Sequence, residues 1–150
     1  MRSPASKRFL PPMSGEGMFD ARVNKRPFVM TSLTARLALR PELERAPDQW
    51  IWKVIAEGKA DRKPTRMGLF LNRDLEPGTH NLIDNEHISV IYNERCHGQS
   101  VIYHSAHFQE GMLTLLEANP YSLKLRGAFS FRMSAINLEV TDGVFDVYCR

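Results

Sequence analysis

Between residues 123 and 133 every second position is apolar or glycine: Leu123, Leu125, Gly127, Phe129, Phe131 and Met133 alternate with Lys124, Arg126, Ala128, Ser130 and Arg132. A period of two predicts an extended strand with one buried face, because successive strand side chains point to opposite sides. A helix would repeat its apolar positions every three or four residues. Ile136, Leu138 and Val140 continue the pattern after a bend. Asp142-Gly143 predicts a tight turn, and residues 144–148 a closing strand.

Upstream the same period recurs in shorter pieces. Phe19, Ala21 and Val23 alternate with polar residues, a turn at residues 24–27 follows, and Phe28-Val29-Met30 reads as the returning strand of a hairpin. At residues 32–40 pattern and propensity conflict. Leu33, Ala35, Leu37 and Leu39 alternate like a strand, while Leu, Ala and Arg favour a helix. Pro41 would hold such a helix to about two turns, which is marginal, so a strand is expected, then a charged loop at residues 41–48. Trp50, Trp52, Val54 and Ala56 share one strand face and Ile51, Lys53, Ile55 and Glu57 the other, with Gly58 as its end. Further strands are expected at residues 67–71, 101–106 and 111–117, with a turn at residues 74–78. Residues 81–83 and 87–92 read as a strand pair, residues 93–100 as a loop. Eight to ten short strands divided by Gly, Pro and Asn turns predict an all-β fold, an antiparallel β-sandwich or flattened barrel. There is no βαβ unit, internal repeat or low-complexity block.

Several landmarks carry a resemblance: Phe19-x-Ala21-x-Val23-Asn24-x-x-Pro27-Phe28, Pro77-Gly78-Thr79-His80-x-Leu82 and Glu110-Gly111-x-Leu113-Thr114. Gly127-Ala128-Phe129-Ser130-Phe131 and Val140-Thr141-Asp142-Gly143-x-Phe145 complete the set. In this order the chain resembles a broad group of uncharacterised bacterial β-sandwich domains, many of them in lipoproteins of unknown function. The resemblance implies about ten strands and transfers no catalytic residue.

At 150 residues the chain is about one domain long. Residues 1–17, rich in Pro and Gly, read as a disordered, flexible tail and 18–150 as one domain. The tail has no apolar core of a secretory signal. The chain as written is therefore expected in the cytoplasm, and in the periplasm if its start is mis-assigned, since Met13 and Met18 offer later starts. No apolar run is long enough for a membrane span. The net charge of +3 is small, and Arg2, Lys7 and Arg8 lie in the tail. Without a clustered basic stripe, nucleic acid is not an expected partner. Cys96 and Cys149 lack the spacing of a zinc or redox motif. They read as unpaired thiols in a reducing compartment, a single disulfide being the alternative.

Candidate chemistry is sparse. His97, His104 and His107 fall within eleven positions, and three imidazoles suit a zinc ion with an open fourth site. On a strand, though, His104 and His107 would face opposite sides. No nucleophile elbow or phosphate-binding glycine loop occurs, Gly127 marks a bulge or a close approach, and no cofactor is implied. The aromatics carry more: Trp50 and Trp52 share one face, with Tyr92 and Tyr103 on neighbouring strands. Two same-face tryptophans in a small sandwich usually fill the core, but if these rings lined a cleft or barrel mouth they would bind an apolar or sugar ligand. Three readings follow. The first is a non-enzymatic binding or interaction module, with a protein partner or self-association, as a homodimer, through a sheet edge or face. The second is a lipocalin-like small-molecule carrier, and the third a histidine-dependent metalloenzyme.

Overall fold

Alternating apolar faces can be buried only if the sheet that carries them folds onto itself, and this chain does so within one sheet. The computed structural model describes residues 17–39 and 50–149. The expected flexible tail (Gly17 apart) and the charged loop at residues 41–48 lie outside the described residues, as does the side chain of Cys96. Ten strands form: β1 (Gly17–Val23), β2 (Arg26–Leu39), β3 (Trp50–Ala60), β4 (Lys63–Asn72), β5 (Gly78–Asn81), β6 (Ile88–Cys96), β7 (Gln99–His104), β8 (Glu110–Asn119), β9 (Lys124–Met133) and β10 (Leu138–Tyr148). Every pairing is antiparallel. The order across the sheet is β5-β8-β9-β10-β1-β2-β3-β4-β6-β7. Among the described residues there is no α-helix, only two 3-10 turns.

The sheet curls into a half-barrel, and its concave side holds the core. Phe19, Leu33, Trp52, Leu71, Tyr92, Leu125, Phe131 and Phe145 belong to one buried cluster drawn from both walls. Phe108 stacks on Phe131 at 4.3 Å, and Tyr92 meets the same ring edge-on at 6.2 Å. Each such side chain removed from water stabilises the fold by about 1.5–3 kcal/mol. Gly127 lies in this layer because a Cβ there would meet the Thr114 carbonyl oxygen at 2.6 Å and the Phe145 ring at 2.7 Å. Its role is close approach. A second small cluster, Ile51 and Phe70 with Ile91, packs on the opposite face.

Several local expectations need correction. Residues 32–39 are strand, but continuous with Phe28-Val29-Met30, so β2 runs across both walls with a register shift between Met30 and Ser32. Gly58 does not end β3, which continues to Ala60. Residues 93–100 are not a loop. Cross-strand pairing carries their polar side chains as β6 and β7, joined by the two-residue turn His97-Gly98. The expected pairing around residues 84–86 does not form: β5 pairs with β8 and β6 with β4. Asp142-Gly143 is a bulge within β10, not a turn, with Asp142 at φ 52° and the register to β9 shifting between Val140 and Gly143.

Candidate ligand-binding mouth

At one end of the half-barrel the two walls stand apart. β2 and β3 are paired up to Leu39 opposite Trp50, and β4 leaves the sheet beside them at Asn72. This exit is pinned: the Arg73 N–H donates to the Trp50 carbonyl at 2.9 Å, and the Asp74 N–H donates to Asn72 Oδ1 at 2.8 Å. Across the gap the β8–β9 turn is tied by Asn119, whose side-chain oxygen accepts from the Tyr121 and Ser122 N–H groups at 2.9 and 3.1 Å. In the sheet that turn is separated from β3 by β10, β1 and β2. Only the curl brings them together.

The result is an open depression of about 560 Å³ lined by Leu37, Trp50, Arg73, Asp74, Pro120 and Tyr121. Trp50 is 42% exposed at the lip and Tyr121 is 95% exposed on the facing turn. Arg73 Nε lies 3.4 Å from Asp74 Oδ1, with both side chains substantially in solvent. Two aromatic faces with a guanidinium and a carboxylate beside them suit a ligand that has apolar C–H faces and polar edges.

The four aromatic candidates therefore separate. Trp50 is at the mouth. Trp52, one step inward on the same face, is wholly buried, and its indole Nε1 has no hydrogen-bond partner among the described residues. Tyr92 is also fully buried. It is opposite Met67, which is opposite Ala56, so it lies four residues along the strands from the level of Trp52, about 13 Å. Its hydroxyl donates to Glu94 Oε1 at 3.1 Å. Burial first, and the Glu94 charge second, push its pKa well above the ordinary tyrosine range. Tyr103, beside Tyr92 in register on β7, is partly buried against the core. Tyr121, Arg73 and Asp74 were not singled out from the sequence. An exposed tyrosine after Asn119-Pro120 was the available signal.

The histidines also separate. His97 sits in the β6–β7 turn at φ 54°. The parity that would divide His104 from His107 does not apply, because residues 105–107 form a 3-10 turn and the rings meet edge-on at 6.2 Å. Among the described residues no group of three His, Cys, Asp or Glu side chains could hold a metal ion. Cys149 is a buried thiol, free among the described residues.

Of two other depressions, the first is lined in part by Arg132, whose Nε is buried with no hydrogen-bond partner among the described residues. In one of about 390 Å³ on the outer face, Arg132 Nη2 donates to Glu110 Oε2 at 3.2 Å and Glu139 is paired opposite Arg132 on β10. In one of about 500 Å³ beside β5, His80 Nε2 lies 2.7 Å from the Glu76 carbonyl. The chain was compared with protein-family models, curated proteins and solved structures. None matches. The mouth stands on its own geometry.

Proposed function

We propose that this chain is a non-enzymatic binding module whose ligand enters the mouth and stacks on Trp50 and Tyr121. The observation that carries this reading is the placement of two exposed rings on facing walls of one depression, with the Arg73–Asp74 pair beside them. Exposed rings of this size at a concave site are favourable anchors, because they give large contact area with few rotors to fix. The Arg73–Asp74 pair offers donors and acceptors side by side, which favours a hydroxyl-rich ligand such as a saccharide over a purely apolar one. The resemblance to bacterial β-sandwich domains names no ligand and adds no residue role.

Tryptophan fluorescence titrated with a panel of soluble oligosaccharides, and separately with fatty acids, tests the reading. A saturable change with a saccharide is expected, lost in Trp50→Ala and weakened at least tenfold in Tyr121→Ala, with buried Trp52 as an internal reference. Saturation by fatty acids alone would point instead to the carrier reading, and no response to either set would remove the proposal.

A second reading, self-association, has one observation in its favour. Among the described residues β7 is an edge strand with no partner on its outer side, and its Val101 and Ile102 are 43% and 53% exposed. Such an edge can pair with a second copy.

A further inference from the structure

At one end of the sheet's central strands, two tight turns stand side by side. Asn24-Lys25 joins β1 to β2 and Asp61-Arg62 joins β3 to β4. β2 and β3 pair from Phe28 opposite Ala60, so the turns are about 10 Å apart, two strand spacings. They share one signature, Asn24-Lys25-Arg26-Pro27 and Asp61-Arg62-Lys63-Pro64. With Arg22 and Lys59 they gather six cations against one acid, Asp61. The whole chain has 20 Lys and Arg and 17 Asp and Glu, so removing these seven residues leaves 14 basic against 16 acidic. The basic surplus is concentrated here.

The patch is built, not incidental. Arg26 Nη1 reaches Asp61 Oδ1 at 3.4 Å and links the two turns, and Arg22 Nη2 donates to the Lys25 carbonyl at 2.7 Å. Lys63 is 3.7 Å from Glu94. Lys25, Lys59 and Arg62 have no ion pair among the described residues and are exposed. Between the turns lies a depression of about 450 Å³ lined by Arg26, Pro27, Val29, Lys59 and Arg62, among others, with Val29 60% exposed. Both turn residues have positive φ: 50° and 70° in the first turn, 51° and 68° in the second. In such two-residue turns the second position favours glycine. The third turn of this kind, His97-Gly98, has it, at φ 80°. The two turns of the patch hold a lysine and an arginine there instead. A strained position that retains a cation points to a use for the cation.

We propose that this end of the sheet docks on an anionic lipid bilayer, with the twin turns facing the headgroups and Val29 and Pro27 at the interface. Six Lys and Arg side chains, less the paired Asp61 and Glu94, leave four net charges, and a cluster of six basic residues falls within the number that reads as anionic-lipid binding. The remainder of the chain, with its acidic surplus, is repelled by the same surface, which fixes the orientation. The depression is lined by no aromatic ring, so it offers no stacking platform for the bases of a single-stranded nucleic acid.

Co-sedimentation of the full chain with vesicles of equal parts phosphatidylglycerol and phosphatidylcholine tests this, beside vesicles of phosphatidylcholine alone. The decisive variant is Lys25→Gly with Arg62→Gly, which removes two charges while giving each turn its preferred residue. Its melting temperature is expected to equal or exceed that of the parent, so a binding loss cannot be laid to misfolding. Partition onto the anionic vesicles is expected to fall about thirtyfold in the double variant and to stay unchanged in Arg36→Gln, an exposed position on β2 away from the turns. Equal sedimentation with neutral vesicles, an unchanged partition in the glycine variant, or retention of duplex DNA without vesicle binding would each overturn the proposal.

Discussion

Cys149 is 1% exposed, and its N–H donates to the Leu123 carbonyl at 2.7 Å. Burial pushes its thiol pKa up to about 12, whereas in the unfolded chain it would ionise near the ordinary value of about 8.5. Above that pH the unfolded state has released the proton and the native state has not. Stability is therefore complete below about pH 8.5 and declines as pH rises toward the native value, with a limiting slope of about 1.4 kcal/mol per pH unit. Tyr92, also shifted up by burial, adds a loss of the same sign above about pH 10. Urea unfolding at a series of pH values from neutral to alkaline should give a steeper decline for the parent than for Cys149→Ala. Parallel declines would show that the thiol does not hold its proton in the fold. The left-handed Lys25 and Arg62 oppose stability at this same scale, by about 1 kcal/mol each.

At the scale of the element, the free edge is the exposed liability. β5, the other edge, has only four residues and is stapled to β8 by a Thr79–Thr114 hydroxyl hydrogen bond of 3.1 Å. β7 is longer and carries exposed apolar side chains. A lysine there would blunt pairing with another chain. Light scattering over a range of concentrations should find association in the parent and little in Ile102→Lys, and a concentration-independent monomer in both would dispose of the self-association reading. The strands differed in how plainly they could be read. β9 was legible because one face is buried and the other solvated, so the period survives in residue types. β4 was partly hidden because residues 67–72 are buried on both faces and lose the alternation. The β6–β7 turn region was not legible at all: Asn93, Glu94, Gln99 and Ser100 resemble a loop, and only ladder hydrogen bonds to β4 and to each other make them strand.

At the scale of the molecule, both surfaces given a role are products of strand order. Trp50 could be singled out by its face on β3, but Tyr121 belongs to a turn that meets it only when the sheet curls. Likewise each basic turn reads as an ordinary solvated turn, and the patch exists because β2 and β3 lie side by side. Local sequence encodes the faces, and the sheet order decides which of them meet. β2 pairs with β1 only at Arg26 and Pro27 and with β3 along the rest of its length, so the two walls are coupled through the β1–β2 hairpin and the buried cluster they share. Hydrogen exchange should therefore find one cooperative unit spanning β10, β1, β2 and β3, with β5 and β7 opening at lower cost. Two transitions of different stability, one for each wall, would contradict this coupling.

The pairing of β1 with β10, Gly17 opposite Val147 and Val23 opposite Val140, also bears on how the chain is made. On the ribosome, β1 through β4 can form a meander as they emerge, but one side of β1 has no neighbour until residues 138–148 are synthesised. At roughly 5–20 residues per second that interval lasts several seconds. Throughout it β1 lacks the ladder partner that β10 supplies in the fold, and Phe19, Ala21 and Val23 stand on a strand open along that side.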